Sequence, residues 1–411
     1  MLEVGLTSNT VSFFPELPPG WSGLLHASVN IAAANKYNTF FIFIYIVRRY
    51  EKNAGIVHNL LTLYIMTVLE NYDLSLHNTF RMNVKCARYI EYSSVSELES
   101  IDFESLPQPV KHIGAGSNLL FTGDFPGTIL HSMIKTVKYV DMGLEEVPVM
   151  VGSGVVVDDF IEEVCGHGLW GMENLSLIPG EMGAAAVQNI GAYGVEFKDV
   201  VSGVVCYDLK EHKKVKFSAA ECGYAYRESM FKHADGRYVV TSLLIRLSRA
   251  YRPRLEYKGV REALGLGPQD NPQDLTPMQV RKAIIGVRNT KLPDPAETGS
   301  AGSFFMNPIV SPVQFAHIID VAREAFGPDV VVPHFILDGG FVKVPAAWLI
   351  DRSGLKGATQ GGAAVYEKQP LVIVNASGSA EPGDVLALEN RIIDDVQRKF
   401  GVILHPEVEH I

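Results

Sequence analysis

The stretch Leu177-Ile178-Pro179-Gly180-Glu181-Met182-Gly183-Ala184-Ala185-Ala186-Val187-Gln188-Asn189-Ile190-Gly191-Ala192-Tyr193-Gly194 constrains the chain most. It is rich in Gly and Ala and carries one charge, Glu181. Its apolar spacing is too irregular for an amphipathic helix or an alternating strand. Small residues at this density let backbone approach something flat or anionic. Alone, the stretch suits a tight core turn and a cofactor contact equally well.

A second Gly-rich stretch, Gly114-Ala115-Gly116-Ser117-Asn118, follows an apolar run that ends at Ile113 and reads as a strand from Val110. It lacks the third glycine of a dinucleotide-binding turn, and no clear βαβ unit frames it, so that reading is rejected. What remains is a loop of exposed N–H groups suited to a pyrophosphate.

Further stretches draw attention, each with an ordinary alternative. Asn78-Thr79-Phe80 suits a capped turn. Gly299-Ser300-Ala301-Gly302-Ser303-Phe304-Phe305 exposes a hydroxyl beside two aromatics; a lone Ser in such a loop is usually a turn residue, and no Gly-x-Ser-x-Gly elbow supports a hydrolase nucleophile. Tyr226-Arg227-Glu228-Ser229 offers an Arg able to bind a carboxylate through two parallel hydrogen bonds, although a surface ion pair is the default for any Arg. His405-Pro406-Glu407-Val408-Glu409 lies near the end of the chain, where a glutamate is ordinarily solvated. Tyr257 reads as a half-buried loop aromatic and Lys291 as a surface lysine.

Together, in this order, these stretches resemble the UDP-N-acetylenolpyruvoylglucosamine reductase family from near Leu76 to the C-terminus. The resemblance implies an α+β fold: an FAD-binding domain of two α+β subdomains, 66–140 and 141–292, and a smaller α+β substrate-binding domain, 293–400. A C-terminal segment, 401–411, carries Glu407. By the same resemblance Gly114, Gly116, Ser117 and Asn118 face the FAD pyrophosphate. Ile178, Pro179, Gly180, Gly183, Ala184, Gln188, Asn189, Gly191, Ala192, Tyr193 and Gly194 lie along the flavin, with Asn78 and Thr79 nearby. Tyr226, Tyr257, Lys291 and Asn307 contact the substrate, and Tyr257 points to the subgroup with a substrate-clamping tyrosine. Met306 stands where the family leads one to expect a lysine, with Arg288 or Lys258 as candidate replacements.

The implied reaction has two halves. NADPH gives hydride to FAD; reduced flavin then gives hydride to the vinyl CH2 carbon of UDP-N-acetylglucosamine enolpyruvate. Arg227 and Glu407 lie near the enol-like intermediate, and Ser303 protonates the adjacent carbon to give UDP-N-acetylmuramate, a peptidoglycan precursor. A weak acid such as Ser serves only a strongly basic intermediate with water excluded. Two rivals remain. An oxidase of the same flavin fold often binds FAD covalently, yet Gly114 to Asn118 contains no His or Cys. A non-catalytic sugar-nucleotide binder has no need of Ser303, Arg227 and Glu407.

A length of 411 residues allows two or three domains, and a formal charge of −10 argues against nucleic-acid binding. Cys86, Cys165, Cys206 and Cys222 form no CxxC pair or zinc pattern, so no metal is expected, and buried thiols in a reducing cytoplasm are. Residues 1–65 read as a non-native or disordered extension ahead of Met66. The run Phe40 to Val47 is too short to span a bilayer, and Leu60 to Leu69 is also short, so no stable membrane insertion is expected. A monomer is expected. Downstream, Ser94 to Glu97 reads as a capping box, and strands are expected at Val147 to Val151, Val204 to Tyr207 and Val239 to Leu247, with a helix from Asp158 to Val164. Thr276, Pro277 and Gln279 start a helix whose apolar face is Val280, Ile284 and Val287. A helix from Ser311 ends at Gly327, strands and turns hold Trp348 to Val365, and a last helix, Gly383 to Phe400, ends at Gly401.

Overall fold

Runs of β-branched and aromatic residues form most strands of the three larger sheets, which have four or five strands each. The computed structural model describes residues 66–411 apart from 141 and 142 and, upstream, the backbone of a few short strands. The reading of 1–65 as an extension, with its apolar run Phe40 to Val47, lies outside the fully described residues.

In the first sheet Lys85–Tyr92 pairs antiparallel with Leu61–Asp73 and parallel with Phe125–Ser132, which pairs parallel with Val110–Ile113. One short helix, Val95–Glu99, accompanies it. Ser94 caps that helix by accepting from the Glu97 N–H. The Glu97 carboxylate reaches back to the Ser93 N–H, one residue earlier than a capping box places it.

The second sheet is antiparallel throughout, in the order Val137–Tyr139, Glu146–Gly152, Tyr238–Ser248, Val201–Asp208, Lys213–Ser218. These strands include those expected, and the expected helix is Val157–Gly166, with Phe160, Ile161 and Val164 buried. The third sheet runs Gly299–Ser303, Val372–Asn375, Ala363–Val365, Thr359–Gln360. Helices Pro312–Phe326 and Pro382–Phe400 end at Gly327 and Gly401 as their sequences foretell. Thr276 and Gln279 form a full capping box at the start of helix Pro277–Lys291.

Three local expectations need correction. Met182–Gln188 is an α-helix. It has no polar face to make it amphipathic, because Met182, Gly183, Ala185 and Ala186 are all buried, and Ala pays no side-chain entropy on entering a helix. Trp348 to Ile350 lie in helix Ala346–Arg352, not in a strand. On Pro277–Lys291, Val280 and Ile284 are buried, but Arg281 rather than Val287 completes that face. Arg281 can be buried because Asp158 takes its charge.

The first sheet and the C-terminal domain share one apolar core, continuous across the expected boundary at 292/293. Leu74, Phe80, Tyr89 and Phe121 belong to the same cluster as Phe304, Leu349, Ile373 and Phe400. Phe80 and Phe304 meet edge to face with centroids 6.1 Å apart, and Phe304 packs on Phe305 at 5.2 Å. The last strand, Glu409–His410, pairs parallel with Leu119–Leu120, directly beyond the Gly114 loop. All four cysteines are buried. Among the described residues no helix is long and apolar enough to cross a membrane, and no cluster suits a metal ion.

Because Phe304 is fully buried between the two units, Phe304→Ala is expected to destabilise them together, by about 3–5 kcal/mol. Urea unfolding followed by hydrogen exchange in both sheets checks this; protection lost in one sheet alone contradicts the shared core.

Candidate active site

Two Gly-rich loops face each other. Gly116 has φ +67°, and a Cβ there would lie 2.0 Å from the His77 carbonyl oxygen, so only Gly fits. The N–H groups of Ala115, Gly116, Ser117 and Asn118 find no acceptor within the described chain. Opposite them, a Cβ on Gly180 would stand 2.8 Å from Ser117 Oγ, and the Ser117 hydroxyl donates to the Pro179 carbonyl at 3.1 Å. Gly183 packs on Ser153, while Ala184 Cβ lies 3.2 Å from the place a Gly114 Cβ would take.

The second loop owes its shape to buried polar anchors. Leu177 has φ +61°, and its N–H donates to Asp158 at 2.5 Å. Burial alone would raise the Asp158 carboxyl, but Arg281 and the Leu177 N–H outweigh it and hold the group below its ordinary range. Ile178 packs against the second core. Asn189, left-handed at φ +46°, spends its amide on Ala225 O, Glu196 and Lys198 N, so it shapes the turn. Gln188 differs: its Oε1 is buried without a partner. Gly191 and Ala192 form a two-residue strand with Val195–Glu196. Tyr193, at φ +48°, accepts at its carbonyl from Asn174 and meets Tyr257 edge to face at 5.3 Å. Gly194, at φ +82°, lies beside Tyr257.

These loops fit a flavin dinucleotide. Free N–H groups in a side-chain-free cradle suit a pyrophosphate, and the orphaned Gln188 oxygen suits a donor on the ring.

Asn78 and Thr79 serve the site from behind. Asn78 is buried, donates to Leu74 O and Met82 O and accepts from Met82 N; its side chain is consumed by the turn. The Thr79 N–H donates to Gly116 O, and its hydroxyl donates to Ser300 O at 2.6 Å. Asn-Thr-Phe therefore clamps the pyrophosphate loop to the strand that ends at Ser303.

Three distant segments then meet. Arg227, at φ +55°, donates from Nε to Glu407 Oε1 at 2.5 Å and from Nη2 to Gly191 O at 3.0 Å. Ser229 anchors that loop by donating to Val187 O. The Glu407 N–H donates to Phe304 O, next to half-buried Ser303, and the Glu407 carbonyl accepts from Asn118. The pair is only 17% and 14% exposed, so its charges are little screened.

Tyr226 and Asn307 touch: the Asn307 amide donates to Tyr226 OH at 3.3 Å, and its oxygen holds the Ala346 N–H. Two cations lie over the Tyr226 ring, Lys343 with Nζ 4.8 Å and Arg227 with Cζ 5.3 Å from its centroid. Of the two candidate replacements for the lysine expected at Met306, Lys258 is exposed and Arg288 is drawn toward Tyr193. Sequence reasoning missed Lys343 because only the pairing of Ile309 with Lys343 brings it beside Asn307. Lys291 stands apart, exposed at the end of its helix in a groove with Gly259, Lys282 and Val287. Tyr257 is also exposed, and Tyr193 and Gly194 are its neighbours in the flavin-facing stretch expected from sequence.

Known proteins resemble this chain over most of its length. A family model described as UDP-N-acetylenolpyruvoylglucosamine reductase, C-terminal domain, matches residues 294–411, and one described as FAD binding domain matches 102–210. The UDP-N-acetylenolpyruvoylglucosamine reductase of Bacteroides fragilis strain YCH46 is 46% identical over 83% of this chain and 99% of its own length. That of Porphyromonas gingivalis strain ATCC 33277 is 39% identical over 84% and 100%. The crystal structure of the Thermus caldophilus enzyme of that name superposes with TM-score 0.58 at 23% identity, covering 84% of this chain and 99% of that one, which supports the α+β fold. The chain belongs to the UDP-N-acetylenolpyruvoylglucosamine reductase family.

Proposed function

We propose that this chain reduces UDP-N-acetylglucosamine enolpyruvate to UDP-N-acetylmuramate with NADPH as reductant, for peptidoglycan synthesis, as a cytoplasmic monomer. The observation that carries the residue-level reading is the Arg227–Glu407 pair hydrogen-bonded beside the Ser303 strand. FAD, held by the loops around Gly114 to Asn118 and Ile178 to Gly194, would supply the hydride chemistry that connects NADPH to the vinyl carbon.

The chain's own residues do the rest. Glu407 and Gly191 occupy Nε and Nη2 of Arg227, which leaves the Nη1 donors for a substrate carboxylate. Positive charge fixed there stabilises negative charge that develops next to the carboxylate. Glu407 acts through Arg227: as an acceptor it orients the guanidinium and needs no proton of its own. Ser303 is the proton donor to the carbon beside the carboxylate. The backbone of its strand is pinned from both sides, by Thr79 at Ser300 and by Glu407 at Phe304. Tyr226, Asn307 and Lys343 form the cationic and aromatic wall suited to a nucleoside diphosphate, and Tyr257, beside Tyr193, and the exposed Lys291 are the outer substrate contacts of this reading. In this reading residues 66–140 and 141–292 hold FAD, 293–400 the sugar nucleotide, and 401–411 closes the site, while 1–65 takes no part.

The reductase reading is favoured over an oxidase by the acid and the cation, which oxygen as acceptor does not require. Anaerobic stopped-flow separates them: bleaching by NADPH followed by reoxidation with the enolpyruvyl sugar nucleotide is expected, and reoxidation by oxygen alone sinks the reading. Ser303→Ala is expected to leave flavin reduction intact and slow the second half-reaction by about 10²–10⁴-fold; equal slowing of both halves contradicts the assigned role. Arg227→Lys is expected to lose about 10²-fold in the second half-reaction, because an ammonium cannot reach Glu407, Gly191 and a carboxylate together. Near-normal turnover of that variant removes the argument.

A further inference from the structure

Beneath the Gly114 loop lies a chain of titratable groups that the reaction does not use, with Tyr89, His131 and Glu181 buried and Tyr72, His77 and Glu91 half-buried. His131, on strand Phe125–Ser132, sets Nε2 2.9 Å from Glu181 Oε1 and Nδ1 2.8 Å from Tyr89 OH. The Tyr89 hydroxyl donates to Glu91 at 3.0 Å and lies 3.2 Å from His77 Nδ1; His77 Nε2 is 3.0 Å from Tyr72 OH. One arrangement of protons satisfies every contact: Tyr72 donates to His77, His77 donates to Tyr89, Tyr89 donates to Glu91, and His131 donates from both nitrogens. A neutral His131 keeps one N–H and must take the Tyr89 proton from Glu91 or leave Glu181 without a donor.

The chain meets the loop at both ends. The His77 carbonyl is the wall against which Gly116 has no room for a Cβ, and Glu181 Oε2 lies 3.3 Å from the place of a Gly114 Cβ. Glu181 is 6% exposed. A carboxylate buried under a loop suited to a pyrophosphate repels that ligand unless a cation offsets it.

We propose that His131 is a positioning residue for FAD, an imidazolium that neutralises Glu181 beneath the Gly114–Ser117 loop so that the loop can hold the anionic pyrophosphate. The inference rests on the flavin reading of that loop. The charged and titratable groups facing His131 are Glu181 from the second Gly-rich stretch, Tyr89 and Glu91 from the neighbouring strand, His77 from the preceding turn and His112 from strand Val110–Ile113. Burial alone would drive the His131 imidazole neutral, but hydrogen bonds and charge from Glu181 and Glu91 outweigh it and raise it to about 9. Burial and the charge of His131 lower both His77 and His112, which leaves His131 as the cation of the group.

The test is FAD affinity of the full-length apoprotein, read by flavin fluorescence, for wild type, His131→Gln, Glu181→Gln and the double variant. At pH 7.5, His131→Gln is expected to weaken FAD about tenfold or more, and the double variant to return within about threefold of wild type. A double variant as weak as His131→Gln shows a packing role and overturns the inference. Wild-type affinity is expected to fall as pH rises through about 9, where the folded-state imidazolium is lost, whereas Glu181→Gln loses that fall. Titration of the flavin itself is common to both proteins and cancels. An equal fall in Glu181→Gln overturns the inference even if His131→Gln does not fold. A wild-type chain that binds no FAD at any pH strikes instead at the flavin reading.

Discussion

The ion pair between Arg227 and Glu407 is the contact on which the rest of the site depends. It joins residues 180 positions apart at 2.5 Å, and each partner is tied to a different wall. Arg227 also grips Gly191, in the flavin stretch. Glu407 is fixed through its backbone to Phe304 and Asn118, so it links the Ser303 strand to the pyrophosphate loop. The Arg227 loop, the strand that ends at Ser303 and both Gly-rich stretches thus share one fastening. Its partners are mostly buried, so removing one leaves the other as an uncompensated charge.

Backbone strain collects around the same point. Leu177, Asn189, Tyr193 and Arg227 all have positive φ without being glycine. Each left-handed residue costs on the order of 1–2 kcal/mol. Each is held by a specific polar partner: Asp158 for Leu177, Ala225 and Glu196 for Asn189, Asn174 for Tyr193, and Glu407 for Arg227. Those partners sit on elements with their own apolar packing, so the cores beneath offset strain at the surface of the site. The shared core around Phe80 and Phe304 keeps the pyrophosphate loop and the Ser303 strand from moving independently.

What could be read in the sequence was whatever local chemistry decides. The Thr276 capping box, the glycine stops at Gly327 and Gly401, the alternating strands and the two Gly-rich loops depend on neighbours a few residues away. The helix Met182–Gln188 was hidden because its residues are small and it buries them without a contrasting polar face. Lys343 was invisible because a two-residue strand pairing, not a motif, sets it beside Asn307. The alliance of His131 with Glu181 spans 50 residues and joins a strand to the start of a helix, and each residue alone is an ordinary buried polar group. Asn78 illustrates the reverse: the motif was legible, but its amide serves the turn, and Thr79 makes the link to the strand Gly299–Ser303.

The central claim is that Arg227 and Glu407 act as one unit. A double-mutant cycle on the second half-reaction, with Arg227→Ala, Glu407→Ala and the double variant followed by anaerobic stopped-flow, tests it most directly. If the pair is one device, the double variant is slowed about as much as the slower single variant. If the two losses multiply as independent factors, Glu407 acts on substrate separately, and the account of the site is wrong.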